Sequence, residues 1–214
     1  MRVTSRASAL IGGALGTMLL AGPAWAHHAM GGEVPGTFAE GLLSGLAHPV
    51  IGLDHLAFIL AVGLIAASLG AGLRLPALFV IASMLGVGVH VAGFGLPLAE
   101  LLVAVSVVAA GAWLLSRRTS VMSWIALPAL LAGLVHGYAY GESIVGSEQA
   151  PLVAYLLGLA LVQLVIAAAT MWAARNLAGL STAGAPVRRA AGVACLVVGL
   201  GFMAAAVLPL LTTS

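Results

Sequence analysis

The sequence predicts an all-α protein of the membrane: a polytopic helical bundle with about six transmembrane helices behind a cleaved signal peptide. Three observations predict it. Hydrophobic residues fill 62% of the 214 positions and charged residues only 7%, against about 25% charged in a soluble domain. The mean hydropathy is +1.18. The apolar residues come in blocks near the twenty or so that a bilayer's hydrocarbon core requires. The same composition excludes other classes. The pI near 9.2 does not point to nucleic acid, because the chain has no lysine and its arginines are explained by topology. A single cysteine, Cys195, excludes an internal disulfide and a thiolate-cluster metal site.

Residues 1–26 read as a secretory signal peptide. Arg2 and Arg6 form a positive n-region, Ala7 to Leu20 an apolar core, and Ala24-Trp25-Ala26 a small-x-small cleavage site. Cleavage would leave His27-His28 at the new N-terminus. Residues 27–47 form a periplasmic lead-in. Within it Phe38, Leu42, Leu43 and Leu46 share one face, as in a short interfacial helix. Residues 48–214 make up the six-helix membrane domain, with spans near 50–72, 76–95, 97–115, 121–140, 151–174 and 190–211. Glycine and proline mark most junctions. Gly86/Gly88 and Gly199/Gly201 are expected packing points, since small residues let helix backbones approach.

Arginine placement orients the chain. With the mature N-terminus outside, the loops after spans one, three and five are cytoplasmic. They hold Arg74, Arg117, Arg118, Arg175, Arg188 and Arg189, which is every arginine beyond the signal peptide. On that topology every acid and every histidine falls in the outer half: His27, His28, Glu33, Glu40, His48, Asp54, His55, His90, Glu100, His136, Glu142 and Glu148. The expected location is the bacterial inner membrane, with the lipid bilayer as the principal partner and no nucleic acid.

The chain's chemistry centres on Gly45-Leu46-Ala47-His48-Pro49-Val50-Ile51-Gly52-Leu53-Asp54-His55. An ionisable group at membrane depth costs about 2.5–3.5 kcal/mol on insertion scales, so three at one span entrance imply a function. In a continuous helix, His48 and His55 would lie two turns apart on nearly the same face. Pro49 disfavours the α conformation at His48, so a break or helix start is expected there, with His48 on a turn just above the helix. Imidazoles and carboxylates without thiolates suit first-row divalent cations such as nickel, cobalt and zinc. Four spans bring such groups to one depth, which is how helix bundles assemble metal sites. His48, Asp54, His55 and His136 are the first candidates for metal contact. Glu142, His90 and Glu100 are candidates for the surrounding shell or the entry path. For His90 a hydrogen-bonded packing role is the simpler reading, and Glu100 has the alternative of facing the head groups. The inner half offers only Gln163, Ser106, Ser83, Thr170 and backbone carbonyls.

These motifs resemble those of the HupE/UreJ family of membrane proteins. The opening signature is His48-Pro49-x-x-Gly52-x-Asp54-His55 with Ala61-Val62-Gly63-Leu64 downstream. A second element, His136-Gly137-Tyr138-Ala139-Tyr140-Gly141-Glu142, is similar to the family's His-Gly-x-Ala-His-Gly-x-Glu. It departs at Tyr140, where the family usually has a histidine, and Glu142 follows Gly141 directly. The resemblance implies permeation of nickel or cobalt that supplies hydrogenase and urease maturation, with His48, Asp54, His55, His136 and Glu142 carrying the metal. Loss of the imidazole at position 140 leaves nickel, cobalt, zinc and copper open as the cation. The expected function is therefore uptake of a divalent transition metal, nickel first, with metalloenzyme maturation proteins as partners and no enzymatic activity. The alternative is an intramembrane zinc-dependent hydrolase using the same cluster, with Asp54 or Glu142 as general base. A sensor or periplasmic metal-binding component is a third reading.

Overall fold

A computed structural model describes residues 33–116, 122–176 and 185–212. The predicted cleavage site, His27, His28 and the Arg117-Arg118 pair lie outside the described residues. Among those described the chain is helical with no strand. The helices are α1 Phe38–Ile51, α2 Leu53–Leu69, α3 Arg74–Val91, α4 Ala99–Leu115, α5 Met122–Gly141, α6 Gln149–Asn176 and α7 Ala185–Thr212. Helices α3, α5, α6 and α7 are each long and apolar enough to cross a membrane, and α1 with α2 passes the same test as one pair bent by 80°. Helix α4 is apolar but shorter. The predicted all-α polytopic bundle is what the chain forms.

The first span differs from its expected form. Helix α1 begins at a capping box: Thr37 Oγ1 accepts the Glu40 N–H at 3.2 Å, and the Glu40 carboxylate accepts the N–H groups of Thr37 at 3.0 Å and Gly36 at 2.9 Å. The helix does not end before Pro49. It runs through His48 and Pro49 to Ile51. A proline in the last turn costs only one ladder bond, the one its own N–H would have made. The closing bond of the helix, from the Gly52 N–H to the His48 carbonyl at 3.1 Å, is intact. The break falls at Gly52 instead, whose extended φ of −74° and ψ of 104° ends the helix. Helix α2 then starts at Leu53 and stops at Gly70, a left-handed cap with φ 63°. There the Ala71 N–H reaches back to the Ala66 carbonyl at 3.0 Å.

Helix α2 is the hub and packs against α1, α3, α4, α6 and α7. Ile59, Ala61, Val62 and Ala66 on it are buried. The closest pairs around it meet at glycines. A side chain at Gly137 or Gly86 of α5 and α3 would strike the backbone of the other helix, at Ser83 and Leu134 respectively. Gly41 and Gly45 of α1 lie against the Pro151 and Tyr155 carbonyls of α6, and Gly111 of α4 lies against the Gly192 carbonyl of α7. Of the expected packing glycines, Gly86 and Gly199 touch a neighbouring helix, whereas Gly88 and Gly201 face open space. These contacts also set direction. Phe79 meets Gly133 and Ser83 meets Gly137, so α3 and α5 run the same way, as do α1 and α6. The Gly111–Gly192 and Ala104–Gly199 contacts make α4 and α7 antiparallel.

Candidate metal centre

The bend at Gly52 assembles the site. His48 lies in the last turn of α1, and Asp54 and His55 lie in the first turn of α2. Their rings meet because the chain turns, not because they share a face of one helix. The His48 and His55 centroids are 6.0 Å apart. Asp54 accepts the His55 backbone N–H at 2.9 Å, which places a carboxylate over the positive end of α2. Glu100 at the start of α4 and Glu142 just after α5 complete the group. Together His48, Asp54, His55, Glu100 and Glu142 line one cavity of about 20 Å³, room for a single water-sized body. Val103 and Ala139 form its apolar wall. His48, Asp54 and His55 are buried, while Glu100 and Glu142 are exposed at the entrance.

The remaining predicted residues lie elsewhere. His136 is fully buried behind the cavity. Its Nδ1 is 2.8 Å from Nδ1 of His55, and its Nε2 is 2.8 Å from Ser106 Oγ. The ring stands against Phe58 and Phe79, with centroids at 4.5 and 5.8 Å. His90 is apart from the cluster. Its Nδ1 hydrogen-bonds the Tyr138 carbonyl at 2.6 Å, and its ring stacks on Tyr138 at 4.1 Å. Among the described residues no three His, Cys, Asp or Glu side chains are arranged to hold an ion together. The donors share a cavity without closing a coordination sphere.

Two residues that the motifs do not mark, Ser143 and Tyr155, join the site beside Tyr140. Ser143 Oγ lies 2.9 Å from His48 Nδ1, and the Tyr155 hydroxyl lies 3.1 Å from the same nitrogen. The Tyr155 hydroxyl donates to the Tyr140 carbonyl at 2.7 Å. Tyr140 packs its ring beside His55 at 4.3 Å and edge-on to His48 at 5.2 Å. Its hydroxyl is buried with no hydrogen-bond partner among the described residues. A polar residue inside an otherwise apolar span was the signal available for Tyr155. Ser143 sits one residue past the second motif and could have been found from that position. Further in, Ser83 Oγ donates to Gln163 Oε1 at 3.2 Å, and both residues are fully buried. Thr170 Oγ1 donates to the Ile166 carbonyl of its own helix at 2.8 Å.

The family profile described as HupE / UreJ protein matches residues 15–202. Protein HupE of Rhizobium leguminosarum bv. viciae is 30% identical over 141 residues, which cover 60% of this chain and 74% of that protein. No solved structure matches the chain. The broken first span and both motif elements fall within the matched residues, and the chain belongs to the HupE/UreJ family.

Proposed function

We propose that this protein carries a divalent transition metal, nickel first and cobalt next, from the periplasm across the inner membrane. The observation that supports this reading is the cavity at the α1–α2 break, a space of about 20 Å³ lined by two imidazoles and three carboxylates. Nitrogen and carboxylate donors suit such ions. Irregular backbone inside a membrane is tolerated where it lines a cavity, and transporters place ion sites at broken helices. A cargo site must also release its ion, and an open, incomplete donor set does so more readily than a closed one. His48, Asp54 and His55 would receive the ion, with Glu100 and Glu142 drawing it to the entrance. The Ser83–Gln163 pair offers polar atoms deeper in the bundle. The arginines at the opposite end support this orientation, and membership of the family supports delivery to hydrogenase or urease maturation proteins as the destination. No observation favours the hydrolase, which requires a fixed ligand set with one open position.

The test is radioactive nickel and cobalt entry into cells that lack their own nickel importers. Wild type should accumulate metal, and His55→Ala and His48→Ala should reduce entry to background at equal protein level. Accumulation that is indifferent to both substitutions would refute the proposal.

A further inference from the structure

His136 shares a motif with Glu142, yet its surroundings give it another task. Ser106 spends its only hydroxyl hydrogen on the Val103 carbonyl at 2.7 Å. Its oxygen is therefore an acceptor toward His136 Nε2, which stands at 2.8 Å. That contact requires a hydrogen on Nε2. A neutral imidazole carries one hydrogen, so His136 Nδ1 must present a lone pair. The Nδ1–Nδ1 contact of 2.8 Å to His55 then has one possible direction: His55 Nδ1–H donates and His136 accepts. In a neutral His55 this leaves the lone pair on Nε2. Both nitrogens of His136 are committed, and Phe58 and Phe79 hold its ring from two sides. His55 lines the cavity and His136 does not.

We propose that His136 is a positioning residue rather than a metal contact, and that Ser106, through His136, fixes His55 in the Nδ1–H tautomer whose Nε2 lone pair receives the cation. This rests on the metal-uptake reading. Outer partners of this kind commonly orient an imidazole and change metal affinity ten- to a hundredfold. Here the orienting group is a second imidazole, itself oriented by a serine hydroxyl on a third helix. Without the Ser106 oxygen, either tautomer of the His136–His55 pair satisfies the shared bond, and the wrong one puts a hydrogen where the cation should bind.

The experiment uses full-length protein, ¹⁵N-labelled at histidine, in detergent micelles. Long-range proton–nitrogen correlations report which ring nitrogen carries hydrogen, and His136→Gln and His55→Gln assign the signals. The expected pattern is Nε2–H for His136 and Nδ1–H for His55. Zinc, as a diamagnetic probe, should move His55 Nε2 and leave the His136 nitrogens in the same tautomer. In cells, Ser106→Ala should raise the half-saturating nickel concentration about tenfold with little change in maximal uptake, and Ser106→Thr should restore it. A His55 Nε2–H tautomer, a His136 nitrogen displaced as a ligand by zinc, or unaltered half-saturation in Ser106→Ala would each overturn the proposal. If wild type takes up neither metal, the uptake reading fails, while the tautomer pattern and zinc response still decide the role of His136.

Discussion

Two buried tyrosines near the site make opposite predictions. Tyr155 donates to the Tyr140 carbonyl and stands close to Ser143 and His48. Tyr155→Phe should lower stability by about 1 kcal/mol, because it removes the shorter of the two hydroxyl donors to the buried Tyr140 carbonyl and leaves Ser143, at 3.2 Å, as the other. Tyr140 keeps its ring among the imidazoles but has no partner for its hydroxyl among the described residues. Tyr140→Phe should cost nothing and raise stability by up to about 1 kcal/mol. Thermal unfolding in detergent checks both. At this scale the sequence carried residue type and depth but not azimuth. It showed that His48, Asp54, His55 and His136 belong to one layer. It could not show that His136 turns toward Ser106 and away from the cavity, since direction around a helix axis depends on neighbours from α2 and α4. His90 is the same case: only packing decides that it bonds the Tyr138 carbonyl.

At the scale of elements, the glycine seams decide which helices touch. Gly137→Leu would drive a side chain into the Ser83 backbone of α3, which cannot yield as a flexible side chain would. The loss should be about 3 kcal/mol or more, read as a fall in folded protein recovered from membranes. Gly88→Leu faces open space and should leave recovery near that of wild type. The two glycines look alike in an apolar run, and a seam becomes visible only when its partner helix is known. Helix α1 shows how local rules are overridden. The Thr37–Glu40 capping signature was present in the sequence, and Pro49 suggested a stop. Packing of Gly41 and Gly45 against α6 holds the residues around the proline helical, and the chain breaks three residues later at Gly52.

For the whole molecule, charge separation predicts topology. Arg74, Arg175 and Arg188 lie at the α3 start, the α6 end and the α7 start, all at one end of the bundle. Arg188 donates there to the Ser116 carbonyl at 2.8 Å. Glu100, Glu142 and Glu148 lie at the opposite end, beside the starts of α4 and α6 and the close of α5. In a Cys195→Ala background, Glu148→Cys should react with a membrane-impermeant maleimide in intact spheroplasts. Arg74→Cys should react only after lysis. The reverse pattern would invert the direction assigned to transport. This level was the most legible in sequence, because hydropathy and arginine placement are sums over many residues and tolerate local error. The pairing of α3 with α5 and of α4 with α7 was not legible, since no sequence signal tells one apolar helix face from another.

The smallness of the cavity bears on the proposed cargo. An ion settling in this space of about 20 Å³ would exchange part of its hydration shell for the imidazole and carboxylate donors that line it. Selectivity then becomes a matter of how willingly an ion exchanges water for nitrogen. Magnesium dehydrates reluctantly and prefers oxygen, so even a hundredfold excess of magnesium should leave nickel entry unchanged, and a competition assay reads this directly. Entry should also slow on cooling with the steep temperature dependence of stripping a hydration shell, steeper than that of diffusion through an open pore.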